Sequence, residues 1–212
     1  MSRLLKTTLA VTLVLGLAGV AAAQTPVFFS EYLEGSSNNK AVEIYNGTSG
    51  DLDMARITVD RYNNGAITLP AHYTFTGTLV SGDVYVIGNP STTGVDPVII
   101  AQSDLLSNLT FFNGDDVLIL FLDGIVVDSI GQFGNDPGVF WGTAPITTAE
   151  YTLVRDASVC VGDVNINDFY DPALDGWISY PQNTVSYLGS HTSNCIVAND
   201  ESSWGSVKAL FQ

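Results

Sequence analysis

Phe28 to Gly47 read FFSEYLEGSSNNKAVEIYNG: an apolar-rich segment, a polar turn over Gly35-Ser36-Ser37-Asn38-Asn39, and a second alternating segment. Phe29, Glu31 and Leu33 recur at period 2 in the first arm, and in the second Val42 and Ile44 oppose Ala41, Glu43 and Tyr45, which is strand periodicity. The stretch therefore predicts a β-hairpin with carboxylates in both arms. On strict alternation Glu31 shares a face with Phe29 and Leu33. A carboxylate among such neighbours needs a donor or a place at the sheet's rim.

The segments downstream repeat the same pattern. Leu52 to Tyr62 alternates imperfectly and ends at Asn63-Asn64-Gly65, whose Asn-Gly pair marks a tight turn. Ala66–Leu69 and Tyr73–Leu79 read as short strands interrupted by Pro70, and Ser81-Gly82-Asp83 turns into Val84–Ile87. A second hairpin runs from Val117–Leu122 through Asp123-Gly124 to Ile125–Ile130, with the sequence of a two-residue type I′ turn. Six successive apolar residues in its first arm predict a central strand covered on both faces. Beyond Gly131 only Tyr151–Arg155 reads as a strand. Many short strands with turn signals, and no βαβ alternation, predict an all-β antiparallel sandwich.

Arg3 and Lys6 precede an apolar run from Leu9 to Val20 that ends at Ala21-Ala22-Ala23, the pattern of a secretory signal cleaved near Ala23. Residues 1–23 are thus expected to be removed, leaving an exported domain over 24–197, and no later segment is long and apolar enough to span a membrane. Residues 198–212 are expected to form a polar linker and a short helix with Trp204, Val207, Leu210 and Phe211 on one face. The formal charge of −15 becomes −17 once Arg3 and Lys6 are gone, which argues against electrostatic capture of nucleic acid. The two cysteines, Cys160 and Cys195, are expected to pair in an oxidising space and to tie off a long loop region.

These residues resemble the lamin tail domain family, in the secreted bacterial form found at the front of some extracellular nucleases. The likeness rests on Phe29-Ser30-Glu31-Tyr32, Glu34-Gly35-Ser36-Ser37-Asn38-Asn39-Lys40 and Glu43-Ile44-Tyr45-Asn46. It continues through Gly82-Asp83-Val84-Tyr85-Val86-Ile87, Phe112-Asn113-Gly114-Asp115-Asp116, Asp128-Ser129-Ile130-Gly131-Gln132 and Leu153-Val154-Arg155, then Gly162-Asp163 with Asn165 and Asn167, and Tyr187-Leu188-Gly189. The resemblance implies an immunoglobulin-like β-sandwich. It does not carry over nuclease catalysis, which in those longer proteins resembles that of a separate downstream domain.

No nucleophile elbow, zinc-protease helix or phosphate loop occurs in the chain. Glu31 and Glu43 on paired arms have the composition of a glycosidase carboxylate pair, but polar ties made by Glu31, Glu43 and Asn46 account for them more simply. Asp163, Asn165 and Asn167, with Asp171, space oxygen atoms as calcium loops do. Asp168 and Leu174 stand where an EF-hand needs Gly and Glu, leaving an irregular calcium site or a set of Asx turns as the two readings. Asp115 and Asp116 read as a solvated turn or as ligand-binding residues. Trp177 and Tyr180 read as aromatic contacts of a binding loop. Asn46-Gly47-Thr48 and Asn108-Leu109-Thr110 match the glycosylation pattern. The function expected is a secreted, non-catalytic binding or scaffolding module for an extracellular or cell-surface protein or polymer, with calcium the one cofactor suggested. The alternatives are an accessory part or divergent member of an extracellular nuclease system, and a structural surface or matrix protein.

Overall fold

The computed structural model describes residues 25–68 and 70–195. The expected signal over 1–23 and the expected helix over 198–212 lie outside the described residues, as does Leu69. The elements, in chain order, are β1 (Val27–Glu34), β2 (Lys40–Asn46), β3 (Leu52–Asp53), β4 (Ile57–Tyr62), β5 (Ala71–Thr74), β6 (Thr78–Leu79) and β7 (Val84–Gly88). They continue as α1 (Pro97–Gln102), β8 (Leu105–Leu106), β9 (Val117–Leu122), β10 (Ile125–Ile130), β11 (Gly142–Thr143), β12 (Ile146–Thr147), β13 (Tyr151–Arg155) and β14 (Trp177–Tyr180).

Among the described residues β14-β13-β1-β2-β7-β8 form one sheet and β10-β9-β4-β5 the other, with β11-β12 and β3-β6 as small ribbons. Val27, Phe29, Tyr32, Val42, Ile44 and Leu153 from the first sheet and Ile57, Val59, Leu118 and Leu120 from the second fill one shared core. The antiparallel expectation holds except at β7–β8, which pair in parallel. The Asp123-Gly124 turn has positive φ at both residues, 52° and 77°, as type I′ requires. β9 lies between β10 and β4 and is buried from Val117 to Leu120, the predicted central strand.

Three expectations are corrected. Residues 66–68 form no strand, with bends at Ile67 and Thr68, because Asn64 and Gly65 both take positive φ and turn the chain before Pro70. The 160–195 region is not all loop, since β14 returns to pair with β13, Arg155 opposite Trp177 and Thr152 opposite Tyr180. Strict alternation in β1 also fails, because the register with β2 shifts between Phe29 and Glu31. Such a bulge inserts one residue and reverses the faces beyond it, so Phe29 points into the shared core while Glu31 and Leu33 point to the outer face. That outer face has its own small core of Phe28, Leu33, Tyr45, Val86, Ile99 and Leu188. α1 supplies Ile99 and the segment 183–191 supplies Leu188; the helix starts at Asp96, whose carboxylate caps Val98 N–H at 2.9 Å.

Candidate functional site

A cleft of ≈ 360 Å³ opens between the turn that enters β9 and the loop before β13, lined by Glu34, Asn113, Gly114, Val139, Phe140, Ala144, Ala149 and Tyr151 among others. Its floor is held by Lys40, whose ammonium lies 2.8 Å from Glu34 Oε1 and donates to Phe112 O at 2.6 Å and Asn113 Oδ1 at 3.2 Å. Glu34 Oε2 accepts Glu150 N–H at 2.9 Å, so this carboxylate joins the end of β1 to the far wall. Thr148 donates to Gly114 O at 2.6 Å and accepts Trp141 N–H at 2.9 Å, lacing the wall to the turn. The contact is close: a Cβ on Gly114 would stand 2.5 Å from Ala149 Cβ. Val139 and Phe140 remain 65% and 41% exposed on the lip.

The expected residues Asp115 and Asp116 border this turn and divide in role. Asp116 is buried and accepts Asn113 N–H at 3.0 Å and Asn64 N–H at 2.8 Å, so it closes the turn and is not a free ligand. Burial pushes its pKa above the ordinary carboxylate value despite these donors. Asp115 is half-buried, and its Oδ1 has no hydrogen-bond partner among the described residues.

Trp177 is corrected from a surface contact to a core residue. It is 3% exposed and lies under the Arg155 guanidinium, 4.1 Å from its ring centroid, because it occupies an inward position of β14. Arg155 in turn meets both oxygens of Asp128 at 2.8 Å, and its Nε donates to Phe29 O at 3.1 Å. Asp128 also accepts N–H bonds from Phe29 at 2.8 Å, Ser129 at 2.9 Å and Asp163 at 2.8 Å. This buried knot joins the two sheets and was missed in the functional reading, although an Asp inside IVVDSI and an Arg ending YTLVR were visible signals. Tyr180 is half-buried and packs on Tyr187 at 4.2 Å between ring centroids.

The Cys160–Cys195 disulfide is present, with Cα atoms 5.5 Å apart. Inside it, Asp163 accepts Asn165 N–H at 2.9 Å, Asp171 accepts Ala173 N–H at 3.0 Å, and Asn165 Nδ2 donates to Asp168 at 3.0 Å. Asn167 O accepts from Gln132 at 3.0 Å. Asp163 and Asp171 thus spend carboxylate oxygens on local turns, Asn165 donates through N–H and Nδ2, and Asn167 is tied through its backbone carbonyl; among the described residues no three His, Cys, Asp or Glu side chains are grouped as candidate metal ligands.

Glu31 and Glu43 face each other across β1 and β2, each 1% exposed. Glu43 is the expected tie: it accepts Ser30 Oγ at 2.6 Å and Gly189 N–H at 2.8 Å. Glu31 is not, since neither of its oxygens has a hydrogen-bond partner among the described residues. Asn46 is a tie as expected, donating to Gly50 O and Leu79 O at 3.0 Å each and accepting from Thr48. Being fully buried and so engaged, it is no glycan acceptor.

Residues 20–134 match the family model of the Lamin Tail Domain. The chain belongs to the lamin tail domain family. Its architecture is the immunoglobulin-like sandwich that the family implies. A solved DUF4876 family protein from Bacteroides thetaiotaomicron aligns with 84% of this chain and 74% of that one, at 14% identity and a TM-score of 0.43. No curated protein matches the chain. The matched span of the lamin tail domain holds β1 to β10 and the Asn113–Asp116 turn. The far wall of the cleft, β13, β14 and the disulfide lie after it.

Proposed function

We propose that this lamin tail domain is an exported, non-catalytic binding module that takes a cationic protein segment, inserting an apolar side chain, into the cleft between Asn113 and Glu150. The observation that carries this reading is the cleft itself: apolar walls with Val139 and Phe140 standing exposed on its lip. Exposed apolar surface rimmed by polar groups is characteristic of interaction sites. The exposed Glu150 and half-buried Asp115 beside it, on a chain of formal charge −15, favour a basic partner. The disulfide fits an oxidising compartment. A catalytic role for Glu31 and Glu43 is disfavoured because both are sealed from substrate at 1% exposure.

Selection from a random displayed-peptide library on the mature protein tests the reading. The expected consensus is one large apolar residue flanked by Lys or Arg, with binding weakened about 30-fold by Phe140→Ala if that ring is an anchor worth about 2 kcal/mol. Peptides without that pattern, or affinity unchanged in a folded Phe140→Ala variant, would overturn it.

A further inference from the structure

The cleft leaves the second buried feature of the domain unused. Segment 183–191 crosses the outer face of the six-stranded sheet as a strap. Leu188 is 5% exposed against that face, and the His191 ring stands 5.6 Å from Phe28 and 4.8 Å from Tyr45, centroid to centroid. Thr152 Oγ1 donates to Thr184 O at 2.9 Å, and the strap's middle is fixed by Gly189 N–H on Glu43. Directly beneath stand the paired Glu43 and Glu31, the latter without any donor among the described residues.

Among the described residues no cation is paired with either carboxylate. The charges acting on Glu43 are Asp104 and Asp83, which flank β7. On β14 the ionisable neighbour is Tyr180, joined to the strap's Tyr187. α1 carries no ionisable side chain. Lys40, the cation of β2, is held by Glu34 at the cleft, and Arg155 of β13 is held by Asp128 between the sheets. His191, the strap's own titratable ring, has a buried Nε2 without a partner among the described residues.

We propose that Glu31 and Glu43 form a proton-held latch: the strap stays closed while the pair keeps its protons, and their loss releases it. The disulfide keeps the freed strap attached, and the apolar face of Phe28, Leu33, Tyr45 and Val86 is uncovered. Burial, and for Glu31 the adjacent Glu43, push the carboxyls from 4.5 up to about 9 and about 7. Opening returns both to water and to the ordinary range. The closed form therefore binds more protons; its advantage is full below 4.5 and is lost as pH climbs through about 7 and about 9. His191 acts in the opposite sense, since burial lowers it to about 4 and closure requires its neutral form.

The test is amide exchange at Gly189 in the mature disulfide-bonded protein between pH 7 and 9, with intrinsic base catalysis divided out. One proton released per opening predicts an opening constant that rises about tenfold per pH unit. Glu31→Gln should abolish most of that rise, and the Glu31→Gln/Glu43→Gln pair should flatten it. The Leu120 amide in the central strand reports global unfolding, which exposes the same carboxyls and so shares the slope, but its opening constant should lie far below that of Gly189 at every pH. A flat Gly189 profile, a Gly189 opening constant equal to that of Leu120, or a slope that survives in the double variant would each overturn the latch. If the variants fail to fold, the wild-type comparison of Gly189 with Leu120 decides alone.

Discussion

Replacing Arg155 by Met is the most informative test of how this sandwich is held together. The substitution keeps apolar volume over Trp177 but removes the cation from a carboxylate that is 0% exposed, while leaving its three backbone donors in place. Removing one partner of a buried pair costs about 3–5 kcal/mol, because the other charge is left behind. Phe29 O and Asp175 O also lose their guanidinium donors, each worth about 1 kcal/mol. The two costs overlap, so a total of about 4–6 kcal/mol is expected, a fall in Tm of roughly 10–20 °C for a domain of this size. Urea unfolding followed by circular dichroism measures it. The loss should also depend on pH. Burial already raises the Asp128 carboxyl despite Arg155, and without the guanidinium it rises further. A raised carboxyl contributes stability below its unfolded range that is lost as pH rises, so the Arg155→Met deficit should be larger at pH 7 than at pH 4. A deficit below about 1 kcal/mol at neutral pH, where a broken buried pair costs 3–5 kcal/mol, would refute this account, as would a deficit equal at both pH values.

Two further changes probe the surroundings of that knot. Cys160→Ser/Cys195→Ser removes a bridge across a sequence separation of 35, and urea midpoints should report a loss of about 3–4 kcal/mol on the loop-entropy relation. Equal stability of the reduced and oxidised forms would count against that constraint. Gly162→Ala would place a Cβ 2.4 Å from Asp128 Cβ and Cγ and from Val127 O. Overpacking of this kind should cost about 1–3 kcal/mol, and a thermal melt unchanged from wild type would show that the loop yields freely.

Local turn chemistry explains why the two hairpins and the central strand were legible. Asp123-Gly124 needs positive φ whatever surrounds it, and six apolar residues in succession have no exposed face to offer. β14 was not legible, since WISY has no alternation of its own and gains strand geometry by pairing with Thr152–Arg155, far back in the chain. The cleft was invisible for the same reason. Its walls come from Glu34, from residues 113–114 and from residues 139–151, and no local pattern announces that those meet. For Trp177, the aromatic residue was noticed and its face misread, because the face is set by the pairing with Arg155.

The bulge in β1 has the widest consequences of any single irregularity. Without the extra residue, strict alternation would turn Glu31 inward with Phe29, toward a core where the buried Arg155 is already matched to Asp128. With it, Glu31 moves to the outer face opposite Glu43, and Ser30 is free to donate to that second carboxylate at 2.6 Å. The β1–β13 register begins only at Glu31, so Phe29 N–H and C=O lie beyond the ladder and are taken by Asp128 and Arg155. A matching shift in β10 between Val126 and Asp128 turns Asp128 toward them. The FSEY motif therefore carries two structural duties. Its backbone completes the knot between the sheets, and its carboxylate sits under the strap, where the cost of ionising it depends on whether that strap is closed.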